Sequence, residues 1–341
     1  MEINTLHHST FNRENSPSTH HPRRLRRIGL GLLSLFAILI ALISAVPVAL
    51  LFFTTMVPIW IAAVLVLADV GLFIGLVRSD HTVTTLLGAA LGWLIVAALA
   101  IILSQQFAST PPITDAAGNV IPGSIASLET VELNNSQQWV TIRGHSTDLP
   151  VLLFLAGGPG GSELIMTRRY LSELEEHFIV VNWDQPGTGK SYSAIDFGAL
   201  TPERCISDAY ELTLYLRERF DEEKIYVFGE SWGSILGVWL VQQHPELFHA
   251  FISTGQMVAP VENDVLGYGI ALNILTEQGR MDDVETLRLN GQPPYENYEL
   301  IGKFGAINGV LNDYMESHAH GEGVHHNLMF DSLGASEYGL L

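Results

Sequence analysis

Three apolar stretches near the start of the chain limit what it can fold into. Ile28 to Phe53 carries no charge, Met56 to Val77 carries one acid, Asp69, and Val83 to Phe107 carries none. Each exceeds the roughly 20 residues that a helix needs to cross the hydrocarbon core of a bilayer. Three transmembrane helices over residues 28–107 are therefore expected, with the lipid bilayer as partner. A cleaved leader is the alternative for the first stretch, but the run is too long and two more follow it. Pro47 is expected to kink or end the first helix. Asp69 is an acid within a span, a position that invites a functional role, yet the sequence offers it no partner.

The flanking charges orient the spans. Arg23, Arg24, Arg26 and Arg27 precede the first, and Arg78 lies between the second and third. Basic loops stay on the cytoplasmic side. Both signals put the N-terminus in the cytoplasm and everything after Phe107 outside, as a multi-pass protein of the cell membrane. Residues 1–27 read as a disordered tail, because they are polar and lack apolar periodicity. Its pairs His7-His8 and His20-His21 read as tail residues, not a metal site. Residues 108–127, with Pro111, Pro112, Pro122, Gly118 and Gly123, read as a linker.

From Pro111 onward the chain holds 11 Lys and Arg against 32 Asp and Glu, a net charge of −21. That sign is wrong for phosphate backbones, so nucleic acid is excluded as a partner, and a well-solvated acidic surface is expected. The single cysteine, Cys205, excludes an internal disulfide and a cysteine metal cluster. It falls near the start of an expected helix and reads as an ordinary half-buried thiol.

The patterning after residue 127 alternates strand and helix. Leu128 to Leu133 and Gln138 to Arg143 read as a hairpin turning at Asn134-Asn135-Ser136. Val151 to Leu155 and Phe178 to Trp183 are continuous apolar runs, as in buried parallel strands. Arg168 to His177 has a helical pattern. Thr201 caps a helix with Pro202 at its first position, running to Phe220. Lys224 to Phe228 is a strand, Ile235 to Gln243 a helix, and Ala250 to Ser253 a further strand. This order predicts an α/β doubly wound sheet over residues 128–259. Val261 to Leu289 and Tyr298 to Ser317 are helical in pattern, consistent with a helical cap over 260–341.

Three loops at strand ends carry the chemistry. Gly229-Glu230-Ser231-Trp232-Gly233-Ser234 joins a strand to a helix, the setting of a nucleophile elbow. Its glycines are required where a side chain would strike the neighbouring strand and helix. Gly157-Gly158-Pro159-Gly160-Gly161 follows the Val151 strand and lets backbone N–H groups approach a reacting oxygen. Asp184-Gln185-Pro186-Gly187-Thr188-Gly189-Lys190-Ser191 follows the Phe178 strand. Its last residues suggest a phosphate loop, but that motif needs glycine where Asp184 stands.

Together, in this order and spacing, the three loops resemble the α/β-hydrolases of the proline iminopeptidase type, the S33 serine peptidase family. The resemblance runs from about Leu128 to the end. It implies Ser231 as the acyl-forming nucleophile, with the backbone N–H groups of Trp232 and Gly158 as the oxyanion hole. It also implies a small peptide or ester substrate, and no cofactor or metal. Three positions depart from the family pattern: Ala156 replaces a histidine, Pro186 an arginine, and Glu230 a residue that is often glycine in the peptidases.

On this fold the triad runs Ser, then acid, then His. Only 110 residues follow Ser231, and one further strand can be read among them. The chain is thus expected to be truncated in its cap region, with the triad acid and base beyond it. His318, His320, His325, His326, Asp313 and Asp331 remain available, and the cluster from His318 to His326 has metal-like spacing. They read as a polar cap loop, while His244 and His249 flank the far end of the elbow helix. The resulting expectation is a membrane-anchored serine hydrolase with an extracytoplasmic catalytic domain, most like an aminopeptidase. The alternatives are an esterase or lipase of the same fold, and a non-catalytic membrane protein.

Overall fold

The computed structural model describes residues 20–295, 299–318 and 334–340. The chain divides into two units, one ending at Phe107 and one running from Ala108 to Gly339.

The first unit is three helices: α1 (His20–Thr54), α2 (Ile59–Val77) and α3 (Val83–Gln106). All three are long and apolar enough to cross a membrane. Helix α1 continues through Pro47 to Thr54 and does not stop near it. A proline removes one helical N–H bond, which neighbouring helices and local adjustment tolerate in an apolar surrounding. Pro58 precedes α2, and Thr82 caps α3 by accepting the Thr85 N–H at 3.3 Å. The helices bury small patches on one another, one around Val48, Leu51, Leu65 and Val96, another around Ala37, Leu86 and Trp93. Most of their large side chains face outward, among them Leu35, Phe53, Leu67 and Leu91. Asp69 has one carboxylate oxygen buried without a hydrogen-bond partner among the described residues.

The second unit is built on one six-stranded sheet. Its strands are β1 (Ile125–Leu133), β2 (Ser136–Gly144), β3 (Val151–Leu155), β4 (Ile179–Trp183), β5 (Ile225–Glu230) and β6 (Phe248–Thr254). The order across the sheet is β1-β2-β4-β3-β5-β6. Strands β1 and β2 form an antiparallel hairpin paired from Ile125↔Gly144 to Leu133↔Ser136, and β2 meets β4 antiparallel. The β4-β3-β5-β6 half is parallel. Asn134 and Asn135 turn the hairpin with φ of 46° and 62°, the left-handed region that asparagine tolerates best after glycine.

Between the strands run α4 (Met166–Tyr170), α5 (Pro202–Phe220) and α6 (Trp232–Gln243). Val151, Leu153, Leu155, Val181, Trp183 and Val227 face α5 and α6, whose Leu212, Leu216, Leu236 and Leu240 complete the core. Strands β3 and β4 are buried at every residue, which is why they read as unbroken apolar runs. The Cys205 thiol lies in this core, deeper than expected, and burial followed by the charge of Asp208 pushes it up to about 11.

Four expectations change. Residues 20–27, expected in the disordered tail, form the first turns of α1. The helix expected over Arg168–His177 is α4 followed by a 3-10 turn at Ser172–Glu176. The turn lets Glu175 reach back and pair with the buried Arg143 at 2.8 Å. The same arginine donates to Thr110 Oγ1 at 2.8 Å and to the Pro111 carbonyl, so the expected linker is stitched to the sheet. The long helix expected over Val261–Leu289 is two, α7 (Pro260–Glu277) and α8 (Met281–Asn290), broken at Gly279 with φ +70°. With α9 (Glu299–His318) they form a cluster around Ala271, Leu275, Leu287 and Ile307. Residues 334–339 lie against the sheet unit, with Tyr338 packed on Leu164 and Ile165 and Glu337 paired with Arg168 at 2.9 Å.

Candidate active site

Ser231 sits between the last residue of β5 and the first of α6, with φ 50° and ψ −115°. A non-glycine residue there is strained by roughly 1–3 kcal/mol, and such strain persists only where the surroundings over-determine it. The determinants are visible. A Cβ on Gly229 would stand 2.5 Å from the Gly233 carbonyl oxygen, and one on Gly233 would stand 1.9 Å from that of Leu155. The turn therefore closes against β3 with backbone on backbone. The Ser231 N–H donates to the Thr254 carbonyl at 3.1 Å, and its carbonyl accepts the Ser234 N–H at 2.9 Å. Ser234 Oγ in turn accepts the Met257 N–H at 3.1 Å, tying the loop after β6 to the elbow.

The glycine loop comes within contact of the serine. A Cβ on Gly157 would lie 3.4 Å from that of Ser231 and 2.3 Å from Glu230 Oε2. The Gly157 N–H is taken by Glu163 Oε2 at 3.2 Å. Gly158 is exposed with φ 130°, a conformation only glycine adopts freely. No described group takes the N–H of Gly158 or that of Trp232. Trp232 opens α6, so its N–H is one of the unpaired donors at a helix start. Two open donors beside one strained serine match the arrangement that stabilises an oxyanion.

The Asp184–Ser191 loop braces this pair. Gln185 donates to the Ala156 carbonyl at 3.2 Å and accepts the Trp232 indole N–H at 3.0 Å. One buried amide thus touches the base of the glycine loop and the residue after Ser231. Asp184 is fully buried and accepts from Ser162 Oγ at 3.0 Å, Tyr338 at 3.2 Å and the Lys190 N–H at 2.8 Å. Burial still pushes its carboxyl up to about 7. Gly189 has φ +43°, and a Cβ there would strike Ser162 Oγ and Asp184 Oδ2 at about 2 Å. Ser191 accepts the Trp139 N–H at 2.8 Å. These contacts tie the loop to β2, Ser162 and Tyr338.

A cavity of about 570 Å³ opens beside the two donors. Gly158, Pro159 and Trp232 form one wall, with Trp239, Met257 and Val258 among the others. Gln256 is its one side chain able to hydrogen-bond through oxygen or an amide.

Ser231, Trp232 and Gly158 are brought together. His318 ends α9, stacked on Tyr314 and bonded to its carbonyl at 2.8 Å, and Asp313 lies on the same helix. His320, His325, His326 and Asp331 lie outside the described residues, as do His7 and His8. His244 stacks on Tyr210 and His249 packs on Tyr226. Among the described residues no side chain hydrogen-bonds Ser231 Oγ. Sequence reasoning missed Glu163 and the bridging contacts of Gln185. The signal for Glu163 was an acid six residues beyond the first loop glycine, a spacing with no periodic meaning. Burial, then the charge of Glu230, pushes Glu163 up to about 6, and burial also raises Glu230.

Residues 150–290 match the family described as alpha/beta hydrolase fold. The chain is 33% identical over 221 residues to a protein of Bacillus subtilis (strain 168) named probable aminopeptidase YbaC, covering 64% of this chain and 68% of that one. It is 31% identical over 122 residues to the probable proline iminopeptidase of Leptolyngbya boryana, covering 36% of this chain and 34% of that one. Among solved structures, a proline iminopeptidase-related protein from Thermus thermophilus is 19% identical with a TM-score of 0.36, covering 55% of this chain and 56% of that one.

Proposed function

Because the chain belongs to the α/β-hydrolases of the proline iminopeptidase type, we propose that it is a serine hydrolase that cleaves amide or ester bonds through an acyl-enzyme on Ser231. The observation that carries this reading is the strained Ser231 beside the open N–H groups of Gly158 and Trp232, two residues that line an apolar cavity. Ser231 Oγ would attack the substrate carbonyl and give its proton to a general base, a role that no described side chain is placed to fill. The carbonyl oxygen gains charge between the two N–H groups. The leaving amine or alcohol takes the proton, and water repeats the sequence on the acyl group.

The names of the relatives favour release of an N-terminal residue from a small peptide. An esterase is the second reading, favoured by the apolar cavity lining with Gln256 as its polar side chain. Aminoacyl anilides against short acyl esters separate the two. Helices α1, α2 and α3 would anchor the enzyme in the cell membrane, with the arginines in the first turns of α1 in the cytoplasm and the hydrolase unit outside. Fluorophosphonate labelling tests the nucleophile: the wild-type protein is labelled and Ser231→Ala is not. Labelling that survives Ser231→Ala refutes the assignment, and a wild-type protein that neither labels nor hydrolyses is non-catalytic. A reporter enzyme fused after Ser127 that is active only in the cytoplasm refutes the orientation.

A further inference from the structure

Glu163 and Glu230 are two acids that the chemistry above leaves unused, and both face Gly157. Glu163 closes the glycine loop from its far end and takes the Gly157 N–H at 3.2 Å. Glu230, the last residue of β5, fills the space where a Gly157 side chain would go, with Oε2 at 2.3 Å from that position. The loop also folds on itself, since a Cβ on Gly161 would stand 2.8 Å from the Gly157 carbonyl oxygen. Gly157 is thus held at its N–H, with its carbonyl and α-carbon closely flanked by Gly161 and Glu230.

The consequence follows from peptide geometry. The Gly157 carbonyl and the Gly158 N–H belong to one planar trans unit, so they point in opposite directions. The carbonyl faces Gly161 inside the loop, and the Gly158 N–H therefore faces outward, where Gly158 lines the cavity. We propose that Glu163 is a positioning residue that aims the Gly158 N–H by gripping Gly157, and that Glu230 sets the charge on that grip. This inference rests on the serine-hydrolase reading.

An ionised carboxylate is a stronger acceptor than a neutral one, about twofold in hydrogen-bond strength. Glu163 loses its proton near pH 6 under the combined effect of burial and Glu230. The grip tightens as pH rises through that value. The other titratable groups nearby are committed to one another: Asp184 to Ser162, Tyr338 and the Lys190 N–H, and Arg168 to Glu337. The Leu164 N–H donates to the Tyr338 hydroxyl oxygen at 3.0 Å, and Ser162 Oγ lies 2.8 Å from the same oxygen, its one proton shared between Tyr338 and Asp184. Glu163 is therefore presented from a fixed backbone.

The test uses the full chain in detergent, with the limiting rate and half-saturating concentration of fluorophosphonate labelling measured from pH 4.5 to 8.5. Glu163→Ala is expected to lower the limiting rate about tenfold or more and leave the half-saturating concentration unchanged, since one oxyanion donor is mis-aimed. Glu163→Gln keeps a neutral acceptor, restores part of the rate, and loses the step near pH 6. Glu230→Gln removes the like charge and moves that step to lower pH, whereas a step from a histidine base stays in place in every variant. Hydrogen exchange of the peptide covering residues 156–163 gives a readout independent of activity, and Glu163→Ala should exchange faster. Unchanged exchange, or a wild-type limiting rate in Glu163→Ala, overturns the proposal. Faster exchange in a protein whose wild type takes no label instead overturns the serine-hydrolase reading, and the catalytic role of Glu163 with it.

Discussion

The two units of this chain place the same residue types on opposite sides of their surfaces. In the sheet unit Leu153, Leu155 and Val181 are wholly buried and acids cover the exterior. In the helical unit Leu35, Leu67 and Leu91 are each about 60–70% exposed, while Ala37, Ala62 and Ala100 fill the contacts between helices. The sheet unit drives its folding by removing apolar surface from water. The helical unit gains nothing that way among its outward leucines, and its helices close on small residues. Apolar exposure that would mark an aggregation-prone surface in one unit is, under the proposed membrane anchoring, the ordinary exterior of the other.

Substitutions can break or sharpen that contrast, and the chemical one has the largest effect. Ser231→Ala should abolish fluorophosphonate labelling while leaving the thermal unfolding temperature unchanged or raised. Gly233→Ala comes next. Its methyl would stand 1.9 Å from the Leu155 carbonyl oxygen, and overpacking against backbone exceeds the usual 1–3 kcal/mol, so a soluble folded product should be lost in expression trials. The same leucine-to-arginine change then compares the units directly. Leu91→Arg, outward on α3, should weaken membrane insertion by about 2.5–3.5 kcal/mol in a glycosylation-mapping assay. Leu289→Arg, equally outward on α8, should change stability by about 0.5 kcal/mol or less. Equal outcomes at the two sites would remove the contrast.

A pH effect is smaller per unit and specific to the sheet unit. Asp184 has a folded value near 7, raised above that of an unfolded aspartate. The folded state therefore holds the proton more tightly. Its contribution to stability is full below pH 4 and is lost as pH rises through 7. The slope is at most about 1.4 kcal/mol per pH unit for one proton. Chemical denaturation at pH 5 and pH 8 should show this loss, and Asp184→Asn should flatten it, at the expense of setting an amide NH2 against the donors on one of the two oxygen positions.

The sheet was legible wherever burial writes a periodic or unbroken pattern. Val151–Leu155 and Ile179–Trp183 are buried on both faces and read as continuous apolar runs. The hairpin was framed by its asparagines, and α5 by Thr201 and Pro202. The elbow was legible because Gly229 and Gly233 answer a steric demand that few other residues satisfy. What escaped was set by contacts between distant residues. The 3-10 turn at Ser172–Glu176 exists for a pairing between Glu175 and Arg143, 32 positions apart. The buried seat of Tyr338 depends on Ser162 and Asp184, 176 and 154 positions away. Glu163 has an ordinary acid's sequence and acquires meaning only when its carboxylate meets Gly157. The break at Gly279 was local, but a single glycine inside a helical pattern does not announce a left-handed backbone.

The backbone at Ser231 sets reactivity against durability at one residue. Glycine would adopt φ 50° and ψ −115° without strain and would still close the turn against Leu155. Ser231→Gly should therefore raise the unfolding temperature while ending catalysis. A lineage selected for persistence alone would drift toward glycine at this position, so under the proposed serine-hydrolase reading the strained serine is a standing cost that its chemistry offsets.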